Sequence, residues 1–153
     1  MAALLIIAHA PLASSLQAVA THVYPDCRRQ LMALDVGPGA TPEQVTAQGR
    51  AALAALGGNE ALVLTDVFGA TPCNAALQLA DPAGEGPQVR VVAGVNVPML
   101  WRTLCYSSLP LDDLVARAVA GGSQGVLQVG ATPRQQQGPA ALSDDQVQHH
   151  HQQ

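Results

Sequence analysis

Apolar residues along the chain follow two alternating patterns: short unbroken runs, and longer stretches where they recur every three or four positions. Residues 4–8 form a continuous apolar run, the pattern of a strand covered on both faces. Pro11 opens a helical stretch with Leu12, Leu16, Val19, Ala20 and Val23 on one face, and Tyr24-Pro25 closes it. Residues 31–36 predict a second strand, and Gly37-Pro38-Gly39 turns the chain. Thr41-Pro42-Glu43-Gln44 then predicts a capping box with Pro at the first helical position. The helix it starts directs Val45, Ala52, Leu53 and Leu56 inward, and Gly57-Gly58 stops it.

The same alternation continues. Residues 61–65 form a third apolar strand ending at Asp66, and Thr71-Pro72 starts a helix that Asp81-Pro82 terminates. A Gly/Pro-rich loop over 84–87 leads to a fourth strand, 89–93. Helices are expected over 99–106 and 111–119, the second with Leu111, Leu114, Val115, Ala118 and Val119 on one face. Residues 126–129 read as a short final strand, and there is no internal repeat. From Ala131 onward the chain is rich in Gln, Pro and Ala and carries His149-His150-His151, which predicts a disordered tail over 131–153 behind one domain, 1–130. The expected fold is α/β: a single doubly wound domain whose central, mostly parallel sheet has about four strands plus a short edge strand, with helices on both faces.

Composition narrows the choice. Of the 153 residues, 48% are hydrophobic and 12% charged, enough apolar surface for one buried core. Aromatics are only 3%, so the core is built from Ala, Val and Leu, which favours helices packed on a parallel sheet over an aromatic-rich sandwich. All seven basic residues are Arg, and the formal net charge is −4 with no basic stripe, which argues against nucleic acid as a partner. The absence of Lys excludes Schiff-base and P-loop lysine chemistry. Cys27, Cys73 and Cys105 are odd in number and lack CxxC spacing, so they read as reduced thiols of a cytoplasmic protein with no metal site. The apolar N-terminal run has no basic residue before it and ends at His9, too short for a signal segment or a membrane span.

In doubly wound sheets, chemistry lies outside the carboxyl ends of the strands. His9 directly follows the first strand and Asp66 directly follows the third. If those strands are neighbours, the imidazole and carboxylate come within hydrogen-bonding reach. A carboxylate on one ring nitrogen fixes the tautomer, leaves the other nitrogen unprotonated and stabilises a positive ring, so His9 could attack phosphorus. The alternative is a satisfied histidine at a strand end. Gly69-Ala70-Thr71-Pro72 joins strand to helix, and its N–H groups and the Thr71 hydroxyl form a candidate anion cradle. Cys73 beside it has no histidine nearby in sequence and reads as a small helical residue, while His22, late in the first helix, needs no role beyond a cation near a helix C-terminus.

At these residues the chain resembles the IIA domain of the mannose/fructose/sorbose class of the bacterial phosphoenolpyruvate-dependent sugar phosphotransferase system. The resemblance rests on Leu5-Ile6-Ile7-Ala8-His9, on the block from Leu64 through Asp66, Thr71 and Pro72 to Ala76, and on the block from Val92 through Asn96 and Pro98 to Leu100. It spans about residues 3–130. It implies that His9 is phosphorylated, that Asp66 orients it, and that Gly69, Ala70 and Thr71 hold the phosphoryl group. It also implies that Asn96 and Pro98 shape the site wall, with a docking rim at Phe68, Met99 and Leu100. The implied donor is the phosphohistidine of HPr, the acceptor a IIB component, and the assembly a homodimer formed by exchange of the last edge strand; no cofactor or metal is implied. The family usually has Thr-His-Gly around the active histidine, where this chain has Ala8, His9 and Ala10-Pro11. A second reading is a regulatory module that reports His9 phosphorylation to a protein partner without sugar transport. A third, a small-molecule-binding doubly wound domain, would need a GxGxxG fingerprint that the chain lacks.

Overall fold

The computed structural model describes residues 1–130. In chain order it contains β1 (Ala3–His9), α1 (Leu12–Val23), a short 3₁₀ turn (Pro25–Arg29), β2 (Leu31–Val36), α2 (Pro42–Leu56), β3 (Glu60–Thr65), α3 (Thr71–Leu79), β4 (Gln88–Ala93), α4 (Val97–Cys105) and α5 (Leu111–Gln124). The expected tail and its His149–His151 triplet lie outside the described residues.

The strands pair in the order β2-β1-β3-β4, and every pairing is parallel. β1 is unbroken in its apolar character because both of its faces are covered. Leu4, Ile6 and Ala8 pack toward α1, α4 and α5, and Leu5 and Ile7 toward α2 and α3. The chain leaves β1 toward β2 on one side and builds β3 and β4 on the other. The order therefore reverses between β1 and β3, and their carboxyl ends frame the crevice where such sheets place ligands.

Local signals act where the sequence puts them. Gln44 N–H donates to Thr41 Oγ1 at 3.2 Å and Thr41 N–H donates to Gln44 Oε1 at 3.1 Å, so the capping box forms with Pro42 in the first turn. Gly57, at φ 75°, ends α2.

Three expectations are corrected. α1 turns Ala13, Leu16 and Ala20 to the core, while Leu12, Val19 and Val23 stay 38–45% exposed. The small residues let the helix approach the sheet closely, which rotates the larger ones to its flank. α5 buries Leu111, Leu114 and Ala118 but leaves Val119 half exposed, and it continues past residue 119 through Gly121-Gly122. Those glycines do not stop the helix because they are its contact with α4. A Cβ at Gly121 would stand 2.6 Å from the Cβ of Arg102, and one at Gly122 would stand 2.7 Å from Cε of Met99. The short strand expected over 126–129 does not form: 126–128 are irregular and 129–130 turn. A strand needs an edge to pair with, and here Gly125 packs against Pro98 at the start of α4, so the segment joins neither edge of its own sheet.

Replacing Thr41 with Ala removes an N-cap remote from the β1/β3 crevice. Urea unfolding of Thr41→Ala is expected to show a loss of about 1 kcal/mol.

Candidate functional site

His9 is the last residue of β1, and its side chain is 53% exposed. Asp66 follows β3, the neighbour of β1, with 13% of its side chain exposed. The His9 backbone N–H donates to Asp66 Oδ2 at 3.0 Å, and ring atom Nδ1 lies 2.6 Å from the same oxygen. The other oxygen, Oδ1, accepts the Val67 N–H at 2.9 Å. Burial pushes the Asp66 carboxyl up, but the His9 N–H, the His9 ring and the Val67 N–H together outweigh it and hold the group below its ordinary value. Asp66 is therefore an acceptor-only carboxylate at neutral pH, so Nδ1 is the protonated nitrogen and, in the neutral form of the ring, Nε2 holds the lone pair. The imidazole and carboxylate that the sequence placed on two strand ends are in direct contact.

The chain enters α3 five residues after Asp66. Gly69 takes φ 89°, a conformation that favours glycine, and Ala70 is the N-cap. Ala70 has no capping side chain, and the first turn of α3 contains no acidic residue. The first-turn N–H groups and the Thr71 hydroxyl thus form an uncapped positive pole at the same rim of the sheet as His9. Phe68, 79% exposed, and Val67, 50% exposed, stand in the loop between Asp66 and this pole.

The third block sits differently from the expectation. Asn96 Oδ1 accepts the Met99 N–H at 2.9 Å and Nδ2 donates to the Gly122 carbonyl at 3.1 Å, so the side chain caps α4 and ties it to α5. Pro98 lies in the first turn of α4, against Gly125. Met99 and Leu100, expected at a docking rim, are 4% and 0% exposed and belong to the core. They are the inward face of α4, which the helical period of Met99, Leu100, Thr103 and Leu104 would have shown. The block still bears on the site through its first residues: Val95 N–H donates to the Thr65 carbonyl at 2.9 Å, fixing the backbone just before Asp66.

Cys73 and Cys27 are buried and Cys105 is exposed. Among the described residues there is no cluster of metal-ligating side chains and no helix long and apolar enough to cross a membrane. One residue near the site escaped the sequence reading. Asp35, in β2 beside Ala8 of β1, accepts the Ser14 N–H at the start of α1 at 3.0 Å. Its signal was available: an acid near the carboxyl end of a strand, the same rule that singled out His9 and Asp66.

The family described as "PTS system fructose IIA component" (EIIA-man) matches residues 3–119. This chain belongs to that family. It is 36% identical over 110 residues to the mannose-specific EIIAB component of Escherichia coli strain K12 and, equally, to that of Shigella flexneri, covering 70% of this chain and 33% of each relative. The chain thus spans about a third of the length of these curated relatives. Among solved structures, the mannose/sorbose-specific IIA subunit from Enterococcus faecalis superposes with a TM-score of 0.74 at 26% identity, covering 86% of this chain and 96% of that one. The EIIA component from Streptococcus agalactiae gives the same TM-score at 21% identity, covering 84% and 97%, and supports the fold. The family is that of IIA components of the sugar phosphotransferase system.

The lowered carboxyl of Asp66 sets a direction for acid stability. A group depressed in the folded state contributes stability fully above its ordinary value, here 3.8, and loses it as pH falls through the lower folded value. Urea unfolding should therefore show wild type more stable than Asp66→Asn near neutrality. The gap should narrow below about pH 3.8 as the carboxyl protonates; a gap that persists unchanged into strong acid would contradict the assignment.

Proposed function

We propose that this IIA-family chain is a cytoplasmic phosphocarrier that accepts a phosphoryl group on Nε2 of His9 and passes it on. The observation that carries the reading is the 2.6 Å contact between His9 Nδ1 and Asp66 Oδ2 on a half-exposed ring. With Nδ1 protonated and held, Nε2 is the only ring nitrogen free to attack. The proposed donor is the phosphohistidine of HPr. As Nε2 bonds to phosphorus, the donor's N–P bond breaks and its electron pair stays on the donor ring. The His9 ring becomes positive, and the Asp66 carboxylate stabilises it. The three equatorial oxygens are then met by the N–H groups of Gly69, Ala70 and Thr71 and by the Thr71 hydroxyl. In a second displacement a nucleophile of a IIB component bonds to phosphorus as the Nε2–P bond of His9 breaks, its electron pair staying on the His9 ring, a reading supported by the joined name of the mannose-specific EIIAB relatives.

Phe68 and Val67 give the partner an apolar contact beside His9. The proposed assembly is a homodimer in which 126–129 of each copy adds to the β4 edge of the other. The exposure of Val126, Leu127 and Val129 at 74–90% supports it.

Incubation with enzyme I, HPr and labelled phosphoenolpyruvate tests the reading. Label should be acid-labile and base-stable and should be lost in His9→Ala; label that persists there sinks the assignment. Asp66→Asn should slow labelling on the order of a hundredfold while remaining folded. Thr71→Ala should slow it about tenfold or more. Phe68→Ser should raise the KM for HPr and leave kcat nearly unchanged. For the dimer, sedimentation of Leu127→Arg should show a monomer where wild type is dimeric; a monomeric wild type removes the strand exchange.

A further inference from the structure

The turn after His9 is held from the far side of β1. α1 begins at Leu12 with Pro11 as its N-cap, and Pro11 has no side chain that can accept the first N–H groups. Its carbonyl is fully engaged instead, accepting the Ser15 N–H at 3.1 Å, the Ser15 hydroxyl at 2.6 Å and the Ser14 hydroxyl at 3.2 Å. The missing acceptor comes from β2. Asp35 Oδ1 takes the Ser14 N–H at 3.0 Å, and Ser14 is the third residue of the helix, the position an N-cap side chain normally serves. The next residue of β2 holds the other end of the turn, since Ala10 N–H donates to the Val36 carbonyl at 3.0 Å.

Consecutive residues of β2 therefore grip both ends of the short link between His9 and α1. On its other side, among the described residues, His9 is gripped only by Asp66, through one oxygen shared by its backbone and its ring. With peptide units of fixed length, a turn pinned at Ala10 and Ser14 leaves the His9 backbone little freedom to swing away from β3. A half-exposed ring has few packing contacts, so its orientation depends on the backbone that carries it.

We propose that Asp35 is a positioning residue for His9: by capping α1 across the sheet it holds the His9–Ala10–Pro11 turn so that Nδ1 stays on Asp66 and Nε2 faces the reaction. The inference rests on the reading of His9 as the phosphorylated residue. It adds a third strand end to the site and gives a role to an acid that touches neither the ring nor the phosphoryl group. Hydrogen bonding from Ser14, working against burial, holds the Asp35 carboxyl below its ordinary value, so at neutral pH Oδ1 carries no proton and can accept, which is all the role needs.

The test compares Asp35→Ala, which removes the cap, with Asp35→Asn, which keeps an acceptor of the same length. Two readouts are taken: steady-state labelling from phospho-HPr, and the ¹⁵N shifts of the His9 ring in the unphosphorylated protein. Asp35→Ala is expected to lower kcat at least about fivefold with KM for HPr unchanged. Its ring shifts should move from a single Nδ1–H tautomer toward a mixture. Asp35→Asn should stay within about twofold of wild type in both, since Asn caps nearly as well as Asp. If Asp35→Ala fails to fold, Asp35→Thr, too short to reach the helix in the same way, takes its place with the same expectations.

An alanine variant with wild-type kcat and wild-type ring shifts overturns the proposal, even if it melts earlier, because Asp35 is then a helix cap and nothing more. An Asn variant as impaired as Ala also overturns it, because charge and not capping would be at work. If wild type takes no label from phospho-HPr, the phosphocarrier reading fails separately, and the ring shifts still decide whether Asp35 orients His9.

Discussion

One carboxylate oxygen sets the geometry of this site. Asp66 Oδ2 accepts both the backbone N–H and the ring Nδ1 of His9, so a single atom fixes where the residue is and which way its ring faces. That double contact requires β1 and β3 to be parallel neighbours in a register that pairs Ile7 with Thr65, so that His9 and Asp66 both lie just past the last shared rung. It also requires a carboxylate willing to remain charged while mostly covered. Desolvation alone would favour the protonated form; three donors reverse it, which charge-assisted hydrogen bonds can do and neutral ones do less readily. The central strands are apolar on both faces because their work is to carry these two ends to one crevice without distortion.

The helix N-termini divide the remaining labour. α2 is capped by Thr41 within its capping box and α4 by Asn96. α5 has Asp112 and Asp113 in its first turn, and α1 borrows Asp35 from β2. α3 has neither a capping side chain nor an acid in its first turn. Negative charge is thus already present at four of the poles, or an oxygen acceptor in its stead, and the fifth is the one that opens beside Asp66. Among the described residues an incoming anion meets a single unoccupied pole, which is a selection made by the sequence through what it omits.

This accounts for what could be read from the chain. The four strands and the placement of His9 and Asp66 were legible because buried parallel strands write themselves as continuous apolar runs, and a polar residue at the end of such a run stands out. The capping box was legible because its donors and acceptors lie three residues apart. Contacts formed between distant segments were not. On α1, Leu16 and Ala20 were placed inward correctly, but Ala13 was passed over for Leu12, Val19 and Val23 because an alanine buries less surface yet fits closer. The burial of Met99 and Leu100 was missed because the pair was assigned to a docking rim, although both lie in the helix expected from residue 99, whose period with Thr103 and Leu104 turns them inward. Asp35 went unnoticed because its partner, Ser14, is 21 residues away and becomes a neighbour only when β2 lies beside β1.

The two kinds of unsatisfied polar group around the site differ in what they cost. The free donors at the start of α3 face water, since Gly69 is exposed and Ala70 and Thr71 are partly so, and leaving them without protein partners costs little until an anion replaces the water. The Thr65 hydroxyl is different. It is fully buried, one residue before Asp66, with no partner in the described structure. A buried hydroxyl in that condition costs about 1–3 kcal/mol, and Val would fill nearly the same volume without that cost. The strain is tolerable because the apolar strands around it, β1 above all, are buried along nearly their whole length. It also sits where the Thr65 carbonyl, through Val95, anchors the backbone that presents Asp66. The segment carrying the carboxylate is therefore fixed by its main chain, and its side chains need not contribute to holding it. That is why one ill-matched hydroxyl can sit beneath the site without moving the oxygen on which His9 depends.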